Sequence, residues 1–375
     1  MNGPQRFTPP PGRHAAVTGW GIAVPEGRLT NQDWVDRVET SDEWIVERTG
    51  IRERRVAGPG ETTASLAIDA GAAAIKRANL TPADIGACIV ATVTPDQPIP
   101  FTAAYVQDGL DLRCGAFDVD AACSGFVYGL VLASSLVGTA GLDAVLMIGS
   151  ETLLRITDWT DRSTAVLFGD GAGAVVVTPS EEPGLLAWDL GCDGAAAHLL
   201  TLPAGGSRMP ATVETVESGQ HYLRMEGQEV FRRAVRAIVD SAEGTLAQAG
   251  ARASDVALFV PHQANARIID AAAARLGIAP ERAFVNIDRY GNTSAASVPL
   301  ALAEAADAGL IQPGDLVLLS GFGAGMSWAS AVLRWTGEAP GPLDPVPEAA
   351  RAGLGGLGGL AGLGGAARTR LRGAV

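Results

Sequence analysis

Cys123 lies in the run FDVDAACSGFVYGLVLA (117–133), where a short apolar segment that reads as a buried strand turns through Ala121 and Ala122 into a helix-like apolar stretch. A thiol at that junction faces the unpaired N–H groups and positive dipole end of the helix, which favour the thiolate. The small residues around it leave room for a substrate. The other reading of such a cysteine is a small buried core residue. Two more polar residues stand at comparable junctions, His262 in VPHQANAR and Asn292 in YGNTSAAS. A histidine at a strand end is often a hydrogen-bonded core residue, and an asparagine after glycine is often a turn residue. Together the three offer a nucleophile and two side chains able to hydrogen-bond a carbonyl oxygen.

The chain that must position them has 375 residues, 47% hydrophobic and 18% charged, enough for two domains or one large α/β unit of a soluble globular protein. Cys88, Cys114, Cys123 and Cys192 are far apart with no Cys-x-x-Cys pair, which argues against a cysteine metal site and a disulfide framework and points to a reducing cytoplasm. A formal charge of −13 argues against a general nucleic-acid binder. Residues 1–12 are proline-rich and lack the apolar core of a signal peptide. No charge occurs between Asp120 and Asp143, a length that could span a bilayer. That stretch contains Cys123, four glycines and Ser134-Ser135 and follows a strand-like run, so a helix buried in a large core is the reading adopted, with no membrane insertion.

Strands are expected at 15–22, 87–93, 117–119, 144–149 and 175–177, and helices at 62–79, 101–110 and after Cys123. Thr30-Asn31 offers a cap for a short helix to Val38, and the charge-dense segment 40–55 reads as surface. FGDGAGA (168–174) lacks the Lys-Ser/Thr of a phosphate loop and precedes a strand, so its glycines are read as tight backbone packing. The second half repeats the theme: helices at 225–248, 264–276 and 295–308, strands at 256–260, 283–287, 316–320 and 329–335. Two related α/β halves follow, 13–180 with the cysteine and 181–336 with the histidine and asparagine, each built on a parallel or mixed sheet. Residues 1–12 form an arm, and 337–375 a Pro/Gly/Leu-rich tail with the composition of a disordered segment.

Six motifs then identify a resemblance: TSDEWIVERTGIRERR (40–55), DVDAACSGF (118–126), FGDGAGA, VPHQAN (260–265), YGNTSAASVP (290–299) and GFGAGMSW (321–328). Over roughly residues 13–335 the chain resembles the β-ketoacyl-acyl-carrier-protein synthase III family of the thiolase superfamily. The resemblance implies a thiolase-like fold, with mixed sheets sandwiching buried helices, and a homodimer in which Phe101 reaches toward the partner's acyl pocket. It implies a Cys123-His262-Asn292 triad. Cys123 takes the acyl group from an acyl-CoA starter, and His262 and Asn292 hold the thioester oxygen of malonyl-acyl-carrier protein as it decarboxylates. The enolate attacks the acyl-cysteine, whose oxyanion is held by the backbone N–H groups of Cys123 and Ala324. No metal or redox cofactor is implied. An enzyme of this fold that transfers the acyl group without condensation is the alternative.

By the same resemblance Trp44 and Arg162 sandwich the CoA adenine, Thr40 and Arg48 belong to the CoA segment, Asn265 and Phe231 line the pantetheine tunnel, and Phe322 stands beside the thiol. An acidic enzyme with an acidic carrier partner needs a local basic patch. Arg232 and Arg236 share a helix face, with Arg267 and Arg275 on the next helix, and are the expected docking residues. Two positions depart from the family pattern. Ser124 follows the nucleophile where alanine is common. Met326 replaces a common aromatic, with an expected effect on the acyl pocket.

Overall fold

The computed structural model describes residues 13–337, which fall within one compact unit. The expected arm (1–12) and all but the first residue of the expected tail (337–375) lie outside the described residues.

Two mixed sheets carry the fold. The first contains β1 (His14–Ala23), β2 (Ala87–Ala91), β3 (Gly115–Val119), β4 (Val145–Thr152) and β5 (Asp170–Ser180), in the order β1-β5-β4-β2-β3. The β4-β2-β3 part is parallel and the rest antiparallel. The second contains β6 (Leu185–Cys192), β7 (Val256–Pro261), β8 (Leu316–Gly323) and β9 (Ser327–Arg334), in the order β7-β8-β9-β6, with only β7-β8 parallel.

The helices are α1 (Asp42–Thr49), α2 (Thr63–Arg77), α3 (Gly125–Gly138), α4 (Gly227–Ala249), α5 (Ala266–Leu276) and α6 (Ser297–Asp307). The uncharged stretch after Asp120 is indeed a buried helix: Phe126, Val127 and Leu130 of α3 are fully buried. With Val298, Ala301 and Leu302 of α6 they join one core that draws on both sheets, from Ile89 and Val175 to Val260 and Leu319. Helices apolar on nearly every side are stable only in such a place. Among the described residues no helix is long and apolar enough to cross a membrane. The second sheet's other face is covered by α4 and α5.

The glycines of 168–174 let elements touch. A Cβ on Gly173 would lie 2.7 Å from the Leu300 nitrogen, so β5 and α6 meet there backbone to backbone.

Four readings need correction. Residues 40–55 are not a surface segment: Ile45, Ile51 and Arg54 are fully buried, and the two isoleucines pack with Trp34, Leu153 and Phe168. The charges that suggested exposure occupy the outer face of α1. The cap at Thr30-Asn31 is made by Asp33, which accepts from the Thr30 amide and hydroxyl at 2.7 Å each, while Asn31 donates to Asp42 and to the Ile51 carbonyl. Residues 283–287 make a single bridge to Phe259 and no strand. The Gln263 side chain takes the Phe284 carbonyl and the Asn286 N–H, groups a neighbouring strand would otherwise have bonded. Finally, Phe117 is 39% exposed, because β3 is the edge strand of its sheet.

Candidate active site

The turn that carries Cys123 is held in an uncommon shape. Between β3 and α3 the chain makes a short 3-10 turn, Ala122–Ser124, with Ala122 at φ +48°. Few non-glycine residues adopt that conformation, and it costs free energy unless the surroundings enforce it. Here Asp120 accepts the Ala122 N–H at 3.1 Å, and Ser124 donates to the Ala121 carbonyl. Ser124 and Ser327 also bond each other at 2.7 Å, so the serine that replaces alanine ties the turn to β9. On the other side β8 comes so near that a Cβ on Gly323 would sit 2.5 Å from the Cys123 nitrogen, and one on Gly321 2.9 Å from Ser124 Cα. Only glycine leaves that N–H approachable.

His262 follows β7 directly. Its N–H donates to the Ser320 carbonyl of β8 at 2.7 Å, and its Nδ1 lies 2.5 Å from the Ser297 hydroxyl at the start of α6. The Gln263 N–H reaches the same oxygen at 3.4 Å. A hydroxyl proton given to Nδ1 puts the ring proton on Nε2 and makes that nitrogen a donor. Burial drives His262 down to about 3, so the ring is neutral at working pH.

Asn292 is bracketed by residues 167–169. Its N–H donates to the Leu167 carbonyl at 2.9 Å and its carbonyl accepts from Gly169 at 3.0 Å. Its Oδ1 accepts the Ser294 N–H at 2.8 Å, which orients the amide and leaves Nδ2 as a donor. The turn Ser294–Ala296 packs against the Cys123 turn. Three junctions from distant parts of the sequence thus meet through β8 and the Asn292 turn.

Cys123 is buried, and burial pushes its thiol up to about 12, against the pull of the Ser294 hydroxyl. The resting group is the thiol. The sequence expectation of a dipole-favoured thiolate overlooked desolvation, which outweighs it in the free site. The thiol opens on a cavity of about 600 Å³ whose walls include Val93, Leu153, Ile156, Phe168 and Leu223, with Ala324 and Gly325 at one side.

Glu151 lies near the thiol; sequence reasoning weighed it as a carboxylate base there and set it aside, because the motifs around it do not match. It is fully buried and accepts from the Thr94 hydroxyl at 2.6 Å, the Thr92 hydroxyl at 3.1 Å and the Val93 N–H at 3.1 Å. Burial nevertheless raises it to about 7. Ser294 leans on both Glu151 and Cys123 without a well-directed bond to either. Ser294 and Ser297 were missed, although both lie in the same YGNTSAASVP string as Asn292.

The other expected residues divide. Arg162 and Trp44 meet, with the guanidinium carbon 5.0 Å from the ring centre, and Arg162 also donates to the Glu39 carbonyl. They stack on each other here, so an adenine between them has to part them. The Asn265 side chain caps α5 through the Arg267 N–H and donates to the Arg48 carbonyl, and Arg48 itself is exposed. The Thr40 hydroxyl is buried without a partner. Arg267 covers the Phe231 ring at 5.7 Å.

Phe322 and Met326 do not line the Cys123 cavity. Alternation along β8 turns Phe322 away from the Gly321/Gly323 face, and both side chains border a neighbouring cleft. Nor are the arginines of α4 a bare positive patch. Arg232 pairs with Glu229 at 2.6 Å, Arg233 with Glu229 and Asp193, and Arg236 with Asp240 at 3.4 Å. Arg267 and Arg275 are exposed.

Glu151 offers a check on the site's electrostatics. Its folded value of about 7 lies above the ordinary 4.5, so the native state holds the proton more tightly than the unfolded chain. The associated stability is full below ~4.5 and is lost as pH rises through ~7. Denaturant midpoints measured for the wild type and Glu151→Gln should therefore diverge over that interval, the wild type losing ground; parallel curves would mean an unshifted carboxyl.

Comparison with known proteins places this chain in a family. The family models for 3-oxoacyl-[acyl-carrier-protein (ACP)] synthase III and for its C-terminal part match residues 117–194 and 246–335. The chain is 54% identical over 325 residues to the β-ketoacyl-[acyl-carrier-protein] synthase III of Roseiflexus sp. (strain RS-1), covering 86% of this chain and 99% of that one. Among solved structures, the 3-oxoacyl-[acyl-carrier-protein] synthase III of Aquifex aeolicus VF5 is 44% identical with a TM-score of 0.79, over 86% of this chain and all (100%) of that one. The priming β-ketosynthase of the R1128 polyketide pathway is 36% identical with a TM-score of 0.82, over 90% and 100% of the two chains. The chain belongs to the β-ketoacyl-acyl-carrier-protein synthase III family of condensing acyltransferases.

Proposed function

We propose that Cys123, His262 and Asn292 carry out the family's decarboxylative condensation in this chain, joining an acyl-CoA starter to malonyl-acyl-carrier protein. The observation that supports it most is that junctions from both halves, 13–180 and 181–336, are brought together, His262 through β8 and Asn292 through the turn Ser294–Ala296, against the Cys123 turn.

In the first half-reaction the Cys123 sulfur bonds to the acyl carbon and the carbon–sulfur bond to CoA breaks. A thiol raised to about 12 gives up its proton as it attacks, and that proton leaves with CoA as the free thiol. The exchange balances without a resident base, which agrees with a His262 too weakly basic to hold a proton. The N–H groups of Cys123 and Ala324 are the proposed oxyanion donors.

In the second, CO2 leaves malonyl-carrier protein and its electron pair forms an enolate. His262 Nε2 and Asn292 Nδ2 are the proposed donors to the enolate oxygen. Neutral donors suit this step, since an imidazolium would protonate the enolate instead of holding it. The enolate carbon bonds to the acyl carbon, the Cys123 sulfur departs as thiolate and takes one proton from solvent to return to the resting thiol, and 3-oxoacyl-carrier protein is released. The apolar cavity walls suit a hydrocarbon starter. Trp44 and Arg162 are the proposed adenine clamp, parted by CoA.

With an acyl-CoA, the wild type should gain one acyl mass and Cys123→Ala none. His262→Ala and Asn292→Ala should still acylate yet form 3-oxoacyl product at least about a hundredfold more slowly, in keeping with the loss of preorganised donors. Acylation followed by transfer to another acceptor, with no CO2 released, would replace condensation by simple acyl transfer.

Because the α4 arginines are matched by acids, the carrier contact is assigned first to Arg267. Arg267→Glu should raise KM for malonyl-carrier protein several-fold and leave acylation unchanged, while Arg236→Glu should do less. Equal losses in both half-reactions for Arg267→Glu would remove it from docking.

A second copy of the chain is the proposed partner along β3. That strand has an unpaired edge, and Phe117, Phe101 (45% exposed) and Ile99 (85% exposed) lie on or near its side of the sheet. Sedimentation should give a dimer that Phe117→Lys weakens; a wild-type monomer at micromolar concentration would exclude this.

A further inference from the structure

Arg54 lies on the strand Glu53–Val56, outside the cavity, and its side chain is fully buried. Buried arginines ordinarily pair with a carboxylate. Its hydrogen bonds instead go to neutral acceptors. One Nη donates to Asn31 Oδ1 at 2.8 Å and more weakly to the Leu29 carbonyl at 3.4 Å; the other donates to the Val166 carbonyl at 2.7 Å. The Trp34 ring lies 5.7 Å from the guanidinium carbon. On stability alone a guanidinium is a costly choice for such a place, and what distinguishes it is its fork. The two arms bond segments more than a hundred residues apart in sequence, 112 for the contact to Val166.

Those segments lead to the active site. Val166 precedes Leu167, whose carbonyl holds the Asn292 N–H, and Gly169 in the same segment holds the Asn292 carbonyl. The base of the arginine side chain completes the clamp. A Cβ on Gly169 would lie 3.0 Å, and one on Gly291 3.3 Å, from Arg54 Cβ. Arg54 therefore lies against the glycine before Asn292 while its guanidinium anchors the turn segment bonded to Asn292 on both backbone groups. A neighbouring bond, from the Arg52 N–H to the Asp288 carbonyl, ties the same strand to the helix Ile287–Tyr290 leading into that turn.

We infer that Arg54 is a positioning residue for Asn292, holding its amide at the site of the enolate through Val166 and Gly291. The inference rests on the role given to Asn292 above. It predicts the larger damage in the second half-reaction, since Arg54 bonds neither the Cys123 turn nor Ala324, and of the segment it anchors only Phe168 reaches the cavity wall.

The full-length wild type, Arg54→Met, Asn292→Ala and the double variant are compared in two assays. One follows the mass gain at Cys123 with acyl-CoA, the other CO2 release from malonyl-carrier protein. Arg54→Met should slow CO2 release about tenfold or more, as a small misplacement of a reacting group does, with acylation within about twofold. The double variant should be no slower than Asn292→Ala, because a residue acting through Asn292 has nothing left to position. Equal losses in both assays, or a double variant slowed by the product of the single effects, would overturn the inference and leave Arg54 a structural residue. Should Arg54→Met not fold, Arg54→Lys keeps the charge but cannot bond both segments, and is expected to slow CO2 release alone; wild-type rates in both assays would overturn the inference. If Asn292→Ala releases CO2 like the wild type, the reading of Asn292 fails first and takes the Arg54 inference with it.

Discussion

The close approach of β8 to the Cys123 turn is the constraint on which the site depends. Gly321 and Gly323 present bare backbone to Ser124 and Cys123, and any side chain there would displace the turn or cover its N–H. The same strand takes the His262 N–H through Ser320 and continues into Ala324. One strand of the second sheet thus sets Cys123, His262 and Ala324 relative to one another. Side chains hold stacked sheets about 10 Å apart. Glycines let β8 and the Cys123 turn meet backbone to backbone.

Burial is the second theme, and it governs charge. Cys123 and His262 are both driven toward their neutral forms, and Glu151 toward its own, because the site lies where two sheets and two central helices exclude water. A site of neutral donors is poorly suited to activating a thiol in advance. It is well suited to receiving negative charge that arrives with the substrate, because fixed dipoles need not reorganise and carry no proton to lose. The polar groups that remain inside are satisfied mainly by threonine and serine hydroxyls and by backbone amides. Arg54 follows the same pattern, its charge solvated by an amide oxygen and two carbonyls.

The three polar junctions were legible in sequence because strand-to-helix junctions are local: an apolar run, small residues and a polar residue at the turn announce Cys123, His262 and Asn292. The buried helix α3 was legible for a similar reason, since a run without charge but with glycines and serines suits a protein core. The segment 40–55 was misjudged because charge density was counted and facing was not. Ile45 and Ile51 point inward from a helix whose outer face carries the charges. The expected strand at 283–287 failed because a side chain, Gln263, took backbone groups that a strand needs. The basic patch on α4 was overread because Glu229 and Asp240, one turn away on the same helix, were not set against its arginines; only Asp193 comes from elsewhere in the chain, to meet Arg233.

The amino-acid sequence by itself determined the elements, their polar junctions and, through six strings of residues, the family; these depend on neighbours along the chain. Tertiary structure alone decided three things. It raised the Cys123 thiol and neutralised His262, because desolvation depends on what packs around a group and not on what precedes it. It turned Phe322 out of the Cys123 cavity, because the alternation of a strand assigns faces only once its neighbours are known, and it set Met326, in the turn after β8, beside the same neighbouring cleft. And it buried Arg54 against the two glycines that flank Asn292 in space, a contact between segments that no local pattern connects.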